Sequence, residues 1–163
     1  MAKNKEEKTN VMRVLDQKKI AYTAHTYPHE EGMAVDGVTV AKSMGFDPAI
    51  VFKTLVARGA SKQYYVFDVP VAENLDLKKA AKAVGEKSIE MIHQKELLPL
   101  TGYVHGGCSP VGMKKLFPTV FHSSAENLAA MIVSAGKIGY QVELAPHDLA
   151  ALVRAKFADI IVE

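Results

Sequence analysis

The chain has 163 residues, of which 48% are hydrophobic and 23% charged, and its formal net charge at pH 7 is +2. This length and composition are typical of one soluble globular domain, and the charge permits a nucleic-acid partner but is too small to indicate a protein that holds a long duplex unaided. The single cysteine excludes an internal disulfide, and the polar N-terminus is unlike a signal peptide or a membrane span, so we expect a reducing, cytoplasmic location.

The first half of the chain predicts short elements separated by polar loops. Residues 1–8 are charged and are expected to be flexible, which leaves 9–163 as a single domain. The elements predicted in chain order are a helix capped by Thr9 or Asn10, a strand over 20–27, a loop over 29–37, a short helix over 38–45 closed by Gly45, and a hairpin of strands over 50–58 and 63–70.

The second half alternates irregularly between helix and strand patterns. Its first predicted element is a helix over 77–84, with Asp76 as its N-cap, Gly85 at its end and an apolar face of Leu77, Ala80, Ala81 and Val84. A strand over 88–92 and a helical turn over 94–102, broken by Pro99 and Gly102, follow. The remaining predicted elements are strands over 119–123, 130–136 and 140–145, a helix opened by Pro146, and a strand over 157–162. This alternation predicts a mixed α/β fold. We expect helices packed outside a curled or barrel-like, mostly antiparallel or mixed sheet.

The histidines do not form a metal-binding pattern. Only His25 and His29 are close in sequence, and Pro28 between them prevents a helical i, i+4 pair. The chain has neither an HExxH nor a CxxC motif. We therefore expect surface and loop histidines, no protein-bound metal and no cofactor.

The stretch GGCSPVG, residues 106–112, raises the question of a protein nucleophile. Ser109 lacks the glycine two residues later that a GxSxG elbow requires, and the following Pro110 favours an extended backbone. Cys108 can approach His105 in a turn, but a lone cysteine is more often a small buried thiol than an activated nucleophile. A hydrolase that uses the Cys108 thiol stays open as an alternative.

The paired Gly106 and Gly107 offer a second interpretation of the same stretch. Glycines let the backbone approach a ligand closely, and they let successive N–H groups point at one carbonyl or phosphate oxygen. A plain tight turn explains the pair equally well. The similar run VSAGKIG, residues 133–139, is either a second wall of the same cleft or a hairpin turn.

Lys53 stands out within the otherwise apolar strand pattern VFKTLV. Strand alternation places it on one face with Val51 and Leu55, and places Thr54 on the other face. Such a lysine either lies at a sheet edge, where its charge prevents pairing with another strand and its stem covers apolar surface, or points its amine into a pocket. The strand pattern alone leaves both possibilities open.

Four segments together resemble the YbaK/EbsC family, the free-standing relatives of the editing domain inserted in bacterial prolyl-tRNA synthetases. These segments are HTY (25–27), FKTLVARG (52–59), TGYVHGGCSPVGMKK (101–115) and VSAGKIG (133–139). The likeness covers nearly the whole chain in order, and its GGxSPxGxKK block is specific. The runs LDLKKAAKA and LAPHDLAALVRAKFADI are also typical of members that act on Cys-tRNA(Pro).

The resemblance implies a trans-editing deacylase that removes cysteine mischarged onto tRNA(Pro), built on a compact α/β fold around a mixed, barrel-like sheet. An apolar pocket separates near-isosteres such as cysteine and proline by only about 1–3 kcal/mol, so a second hydrolytic site is needed. Members that act on cysteine resemble one another in using no protein nucleophile, because the substrate thiol attacks its own ester. The implied partners are the acceptor end of tRNA(Pro) and prolyl-tRNA synthetase, with no membrane involved.

The family motifs also imply roles for individual residues. Lys53 falls on the family's functional lysine, at the scissile ester or the terminal nucleotide, and the backbone of Gly106 and Gly107 is expected to face the ester carbonyl. The positions implied to shape the substrate pocket are Tyr27, Thr54, Ser109, Pro110 and Ser134.

The sequence departs from the family pattern at two positions. Relatives usually have an aliphatic residue at the position of Cys108, and a valine or an arginine-like residue at that of His105. Two further alternatives stay open. One is a deacylase of the same fold with another specificity, such as Ala-tRNA(Pro), and the other is a non-catalytic module that binds aminoacyl-tRNA or acts in regulation.

Overall fold

A computed structural model describes residues 8–30 and 33–163. Most of the predicted flexible N-terminus, residues 1–7, and two residues of the predicted loop, 31–32, lie outside the described residues. Lys8 is described, and its ammonium group pairs with the carboxylate of Asp16. The assignment of 9–163 to a single domain stays a prediction.

The described residues form five α-helices and eight strands. The helices are α1 (Asn10–Gln17), α2 (Gly37–Ser43), α3 (Leu77–Val84), α4 (Gln94–Thr101) and α5 (Pro146–Val153). The strands are β1 (Thr23–Thr26), β2 (Phe52–Gly59), β3 (Tyr64–Pro70), β4 (Ile89–Met91), β5 (Thr119–His122), β6 (Met131–Ser134), β7 (Tyr140–Leu144) and β8 (Ala155–Ala158). Two 3₁₀ turns, Pro48–Ile50 and Ser123–Asn127, connect them.

The strands form two sheets that meet beside the start of β2. One sheet is antiparallel with the order β1-β7-β6, and the other is mixed with the order β4-β2-β3-β5-β8. β3, β5 and β8 run parallel, whereas β4, β2 and β3 are antiparallel. A single bridge between Val51 and Ile132 links the sheets. The mixed α/β class is therefore confirmed, but the backbone hydrogen bonding is not continuous enough to close a barrel within the described part of the chain.

Side-chain alternation along β2 divides the apolar interior in two. Phe52 and Val56 join the larger core, which also contains α1, α5 and the β6–β7 hairpin. Leu55 and Ala57, on the opposite face, pack with the second core beneath α3. β2 is therefore covered on both faces, which explains why its sequence is nearly continuous in apolar residues.

The predicted helix caps are confirmed by their hydrogen bonds. Thr9 Oγ1 accepts from the backbone N–H of Met12 at 3.2 Å at the start of α1. Asp76 Oδ1 accepts from two N–H groups in the first turn of α3, at 2.9 and 3.0 Å. Gly85 ends α3 in the left-handed conformation, with φ of 76°. These caps satisfy N–H groups that have no partner within the helix.

Two local predictions were wrong at helix α4 and strand β8. α4 continues through Pro99 as far as Thr101, because a proline in so short a helix removes only one backbone hydrogen bond. The last strand begins at Ala155 rather than at residue 157. Arg154 takes a left-handed conformation directly after α5, with φ of 58°, and turns the chain at once alongside β5.

The predicted apolar face of α3 was wrong at one residue. Leu77, the first residue of the helix, is 41% exposed, whereas Ala80 and Ala81 are buried against the second core. The helix packs through its small residues, which allows a close approach to the sheet. Leu77 lies at the end of the helix, beyond that contact.

Candidate active site

A cavity of about 520 Å³ lies beside the first half of β2. This volume is within the range of small-molecule sites. The walls come from the end of β1, the segment before and into α2, β2, the GGCSPVG block and the β6–β7 hairpin. The lining residues are Tyr27, Ala34, Val35, Asp36, Gly37, Val40, Val51, Phe52, Lys53, Thr54, Leu55, Val71, Leu97, His105, Gly106, Cys108, Ser134, Tyr140 and Gln141.

Five residues predicted from sequence meet in this one cavity, although they come from four distant parts of the chain. They are Tyr27, Lys53, Thr54, Gly106 and Ser134. The backbone N–H of Tyr27 donates to the carbonyl of Gly139 at 2.9 Å, which ties the HTY segment to the β6–β7 turn. Ser134 Oγ accepts from the N–H of Gly136 at 3.1 Å and shapes the same turn. The VSAGKIG run is thus both a hairpin turn and a wall of the cavity.

Lys53 is half-buried in the cavity and not simply a surface lysine at a sheet edge. Burial lowers the pKa of its ammonium group, while the nearby carboxylates of Asp36 and Glu73 act in the opposite direction. β4 pairs with β2 only over residues 57–59, so β4 does not cover the strand beside Lys53. An amine held in this way can bind a carbonyl or phosphate oxygen of a ligand.

Thr54 contacts a buried residue that the sequence analysis missed. Its Oγ1 donates a hydrogen bond of 2.5 Å to Asp68, the residue directly opposite on β3. Asp68 is fully buried, and burial raises the pKa of its carboxyl group to about 7, against the opposing effect of the Thr54 hydrogen bond. A sequence signal existed, because Asp68 is the one acidic residue within the apolar strand YYVFDVP.

Gln141 is a second residue of the cavity that the sequence analysis missed. It lies on β7 in register with His25 on one side and Ser134 on the other. Its side chain is buried, and its Oε1 has no hydrogen-bond partner among the described residues. Gln141 lines the cavity, and a buried carbonyl oxygen without a partner is unusual in a folded protein.

The two adjacent glycines play different parts. Gly106 is exposed, lines the cavity and has φ of 89°, a left-handed conformation that favours glycine. Gly107 is buried and is not in the lining. Its N–H donates to the carbonyl of Val104 at 3.0 Å, and a Cβ there would lie 3.0 Å from the backbone nitrogen of Ile138. Gly106 therefore reaches the cavity, whereas the N–H of Gly107 is already used within the loop, and the role of either glycine at the ester carbonyl stays a prediction.

Ser109 and Pro110 also lie behind the cavity wall and not in it. Both are buried, and Ser109 Oγ accepts from the N–H of Val111 at 3.2 Å. This short turn uses the polar atom of Ser109 within its own loop. Both residues therefore lie behind the lining residues, and their predicted role in shaping the substrate pocket stays a prediction.

Cys108 lines the cavity, but its thiol is not poised for nucleophilic attack. The side chain is 7% exposed, and burial together with the nearby Asp68 charge raises the pKa of the thiol to about 12. The thiolate is the nucleophilic form, and it is nearly absent at neutral pH with such a pKa. His105 is exposed at the cavity rim.

Residues 8–30 and 33–163 contain neither a metal-binding cluster nor a membrane-spanning helix. No group of three or more His, Cys, Asp or Glu side chains in this part of the chain is arranged to hold a metal ion. No helix there is long and apolar enough to cross a membrane.

Residues 29–152 match the model of the aminoacyl-tRNA editing domain family. The chain belongs to this family. A relative from Enterococcus faecalis (strain ATCC 700802 / V583), EbsC, is 45% identical over 161 residues, which cover 98% of each chain. The name of that relative proposes a Cys-tRNA(Pro)/Cys-tRNA(Cys) deacylase. The resemblance found in the sequence motifs is thereby confirmed.

Two solved structures show that the editing-domain fold extends over the chain. A crystal structure described as a proposed trans-editing enzyme for prolyl-tRNA synthetase has a TM-score of 0.79 at 24% identity, covering 94% of this chain and 95% of the other. A crystal structure of a hypothetical protein has a TM-score of 0.82 at 18% identity, covering 93% of this chain and 99% of the other. At these identities the likeness establishes the fold.

Proposed function

We propose that this protein is a cytoplasmic trans-editing deacylase that removes cysteine from mischarged Cys-tRNA(Pro). The observation that carries the proposal is the convergence of Lys53, Thr54 and Gly106 in one cavity of small-molecule size, within a chain of the editing-domain family. The proposed activity of the relative that is 45% identical supports the choice of cysteine.

The cavity supports a reaction in which the substrate supplies its own nucleophile. The raised pKa of the Cys108 thiol makes it a poor nucleophile at neutral pH, which supports positioning of the substrate over covalent catalysis by this residue. In the proposed step the cysteine sulfur forms a bond to the ester carbonyl carbon and the bond from that carbon to the ribose oxygen breaks. The proton lost by the thiol is taken up by the ribose hydroxyl that leaves, and the cyclic thioester departs.

Lys53 and Gly106 are proposed to hold the reacting ester. The ammonium group of Lys53 stabilises the negative charge that develops on the carbonyl oxygen, or binds the terminal nucleotide. Gly106 lies in the cavity lining with a left-handed backbone, and its N–H is proposed to face the ester carbonyl. Tyr27 and Ser134 close the pocket around the side chain of the amino acid.

The proposed macromolecular partners are the acceptor end of tRNA(Pro) and prolyl-tRNA synthetase. With a net charge of only +2, the chain has little excess positive charge for binding a whole tRNA, so we expect a complex with the synthetase to supply affinity. Tight binding of tRNA(Pro) by the isolated protein at physiological salt would contradict this part of the proposal.

Single-turnover deacylation tests the proposal most directly. Cys-, Ala-, Ser- and Pro-tRNA(Pro) are each mixed with excess wild type, Lys53→Ala, Lys53→Arg or Lys87→Ala. Lys87 is an exposed lysine outside the cavity lining and serves as the matched control. We expect rapid loss of cysteine only, a rate reduced by about a hundredfold or more in Lys53→Ala, as for loss of an electrostatic donor, and a wild-type rate in Lys87→Ala.

The other outcomes select between the alternatives. Loss of alanine as fast as cysteine would show a deacylase of different specificity. Equal turnover of Ser-tRNA(Pro) would contradict attack by the substrate thiol. If no amino acid is lost from any tRNA, the proposed deacylase activity is wrong and a binding or regulatory module remains as the explanation.

A further inference from the structure

Thr54 and Asp68 form a buried polar pair at the floor of the cavity. The two residues are direct partners in the β2–β3 ladder, and their side chains point to the same face as Phe52 and Val66. Thr54 lines the cavity, whereas Asp68 lies behind it and is fully buried. The hydrogen bond that connects Asp68 to the cavity lining comes from Thr54.

We propose that Asp68 is a positioning residue that fixes the Thr54 hydroxyl as a hydrogen-bond acceptor toward the aminoacyl group of the substrate. This inference rests on the proposed function and extends it to a residue that does not itself contact the substrate. A hydroxyl has one hydrogen to donate and two lone pairs to accept. The hydrogen of Thr54 is committed to Asp68 over 2.5 Å, so the oxygen presents lone pairs to the cavity.

The surroundings of Asp68 keep the pair in this arrangement. Phe121, its register neighbour on β5, offers no polar group, and Thr54 is the hydrogen-bonding partner on β2. The titratable group Cys108 is close enough for the Asp68 charge to raise the pKa of its thiol, which is therefore neutral at ordinary pH. Asp68 Oδ2 is buried and has no partner among the described residues. An unpartnered buried carboxylate oxygen is costly, which favours a functional reason for the residue.

Two groups of a cysteinyl ester can donate the hydrogen bond that the Thr54 hydroxyl accepts. One is the amino group, which every aminoacyl-tRNA carries, and the other is the thiol, which only cysteine carries. Both are hydrogen-bond donors of the required chemistry. Analogues that have or lack the thiol distinguish them.

Protonation of Asp68 would reverse the arrangement. A protonated carboxyl group can donate to Thr54 Oγ1, which occupies a lone pair and frees the hydroxyl hydrogen to turn toward the cavity. The acceptor function of Thr54 is then lost as the pH falls. Because the pKa of Asp68 is raised to about 7 by burial, this change falls within an accessible pH range.

Binding of unreactive substrate analogues tests the inference. The probes are cysteinyl and alanyl amides of 3′-amino-3′-deoxyadenosine, titrated calorimetrically at pH 6 and pH 8 into wild type, Thr54→Val, Thr54→Ser, Asp68→Asn and the double variant Thr54→Val/Asp68→Asn. We expect Thr54→Val to weaken binding by about tenfold at pH 8, as for loss of one hydrogen bond, and by no more than about twofold at pH 6. Thr54→Ser keeps the hydroxyl and retains the wild-type pH dependence.

The double variant separates a positioning role from a structural one. Asp68→Asn keeps an acceptor for Thr54 but does not titrate. The ratio of its affinity for the analogues to that of Thr54→Val should therefore be the same at pH 6 and pH 8. If Asp68 acts through Thr54, then at pH 6 Asp68→Asn tightens binding in the wild-type background, where the carboxyl group is protonated, and causes no change in the Thr54→Val background. The same change of affinity at pH 6 in both backgrounds, or a wild-type pH dependence in Thr54→Val, would overturn the inference.

The test remains informative if the proposed function fails. If no deacylation is detected but the analogues bind in a pH-dependent way that requires Thr54, the proposed deacylase activity is wrong and the inference about Asp68 stands. If the protein deacylates its substrate but analogue binding by Thr54→Val has the wild-type pH dependence, the proposed activity stands and the inference is wrong. Failure of both analogues to bind wild type would overturn the inference as well.

Discussion

Gly106 and Ala34 are in direct contact at the rim of the cavity: a Cβ placed on Gly106 would lie 2.7 Å from the Cβ of Ala34. The contact brings the segment before α2 against the GGCSPVG block, which is more than seventy residues away in the chain. The glycine is required there for two reasons, its left-handed backbone and the lack of space for a side chain.

Gly106→Ala is expected to destabilise the protein more than Gly45→Ala. Both glycines have positive φ, 89° and 77°, but nothing lies within 4 Å of a Cβ at Gly45. Gly45→Ala therefore measures the backbone strain alone, about 1 kcal/mol. Gly106→Ala adds a steric term of about 1–3 kcal/mol, to be measured by urea denaturation. Equal free energies of unfolding for the two variants would contradict the close contact with Ala34.

Cys108 is expected to resist alkylation in the folded protein and to be dispensable for activity. With its pKa near 12, the thiolate fraction at pH 8 makes labelling by iodoacetamide on the order of a thousandfold slower than for an ordinary thiol. Mass spectrometry follows the labelling, and the urea-unfolded protein is the control that reacts at the ordinary rate. Loss of deacylation in Cys108→Ala, with its fold intact, would restore the thiol hydrolase as an explanation.

Asp68 is expected to lower the stability of the fold as the pH rises. The unfolded carboxyl group loses its proton near its usual pKa of 3.8, whereas the folded one holds its proton until about pH 7. The folded state thus binds more protons between these values, so the free energy of unfolding decreases across this range. In wild type this decrease in the free energy of unfolding should be on the order of 4 kcal/mol. It should be absent in Asp68→Asn, because an amide does not titrate.

Denaturation of wild type and Asp68→Asn from pH 4 to pH 8 measures this effect. Asp47→Asn, at an exposed aspartate that caps a 3₁₀ turn, is the matched control. The difference between Asp68→Asn and wild type should grow with pH and level off above about pH 7. A difference that does not vary with pH would show that Asp68 is already ionised at pH 4.

Asp76→Ala is expected to lower the free energy of unfolding by about 1 kcal/mol through loss of the α3 cap. The carboxylate accepts from the N–H groups of Lys78 and Lys79, which have no partner within the helix. Asp76→Ser keeps an N-cap acceptor and should recover most of the loss in thermal denaturation. Equal losses in both variants would show that the charge of Asp76, and not its cap, stabilises the helix.

Local elements were predicted well because their causes lie within a few residues. The Thr9 cap, the Asp76 cap with Gly85 and the hairpin of β2 and β3 each depend on neighbours in sequence. One error has a tertiary cause, because β8 starts early where Arg154 turns the chain alongside β5. The error at α4 is local, because Pro99 removes only one backbone hydrogen bond from so short a helix.

Packing decides which motif residues line the cavity. Lys53 and Thr54 do so, and their roles there stay predictions. Gly107 and Ser109 belong to the same motif but are buried behind the wall, with their polar groups used within the loop. Gln141 was missed because only its register between β1 and β6 brings it to the cavity.

The sequence by itself determined the α/β class, the family and the local elements, since these follow from composition, short-range patterns and the order of specific motifs. Only the tertiary structure decided which motif residues reach a common cavity, and that Asp68 lies behind Thr54. The physical reason is that such contacts depend on strand order and register between distant segments. A shift of one residue along β3 would turn Asp68 to the opposite face of the sheet.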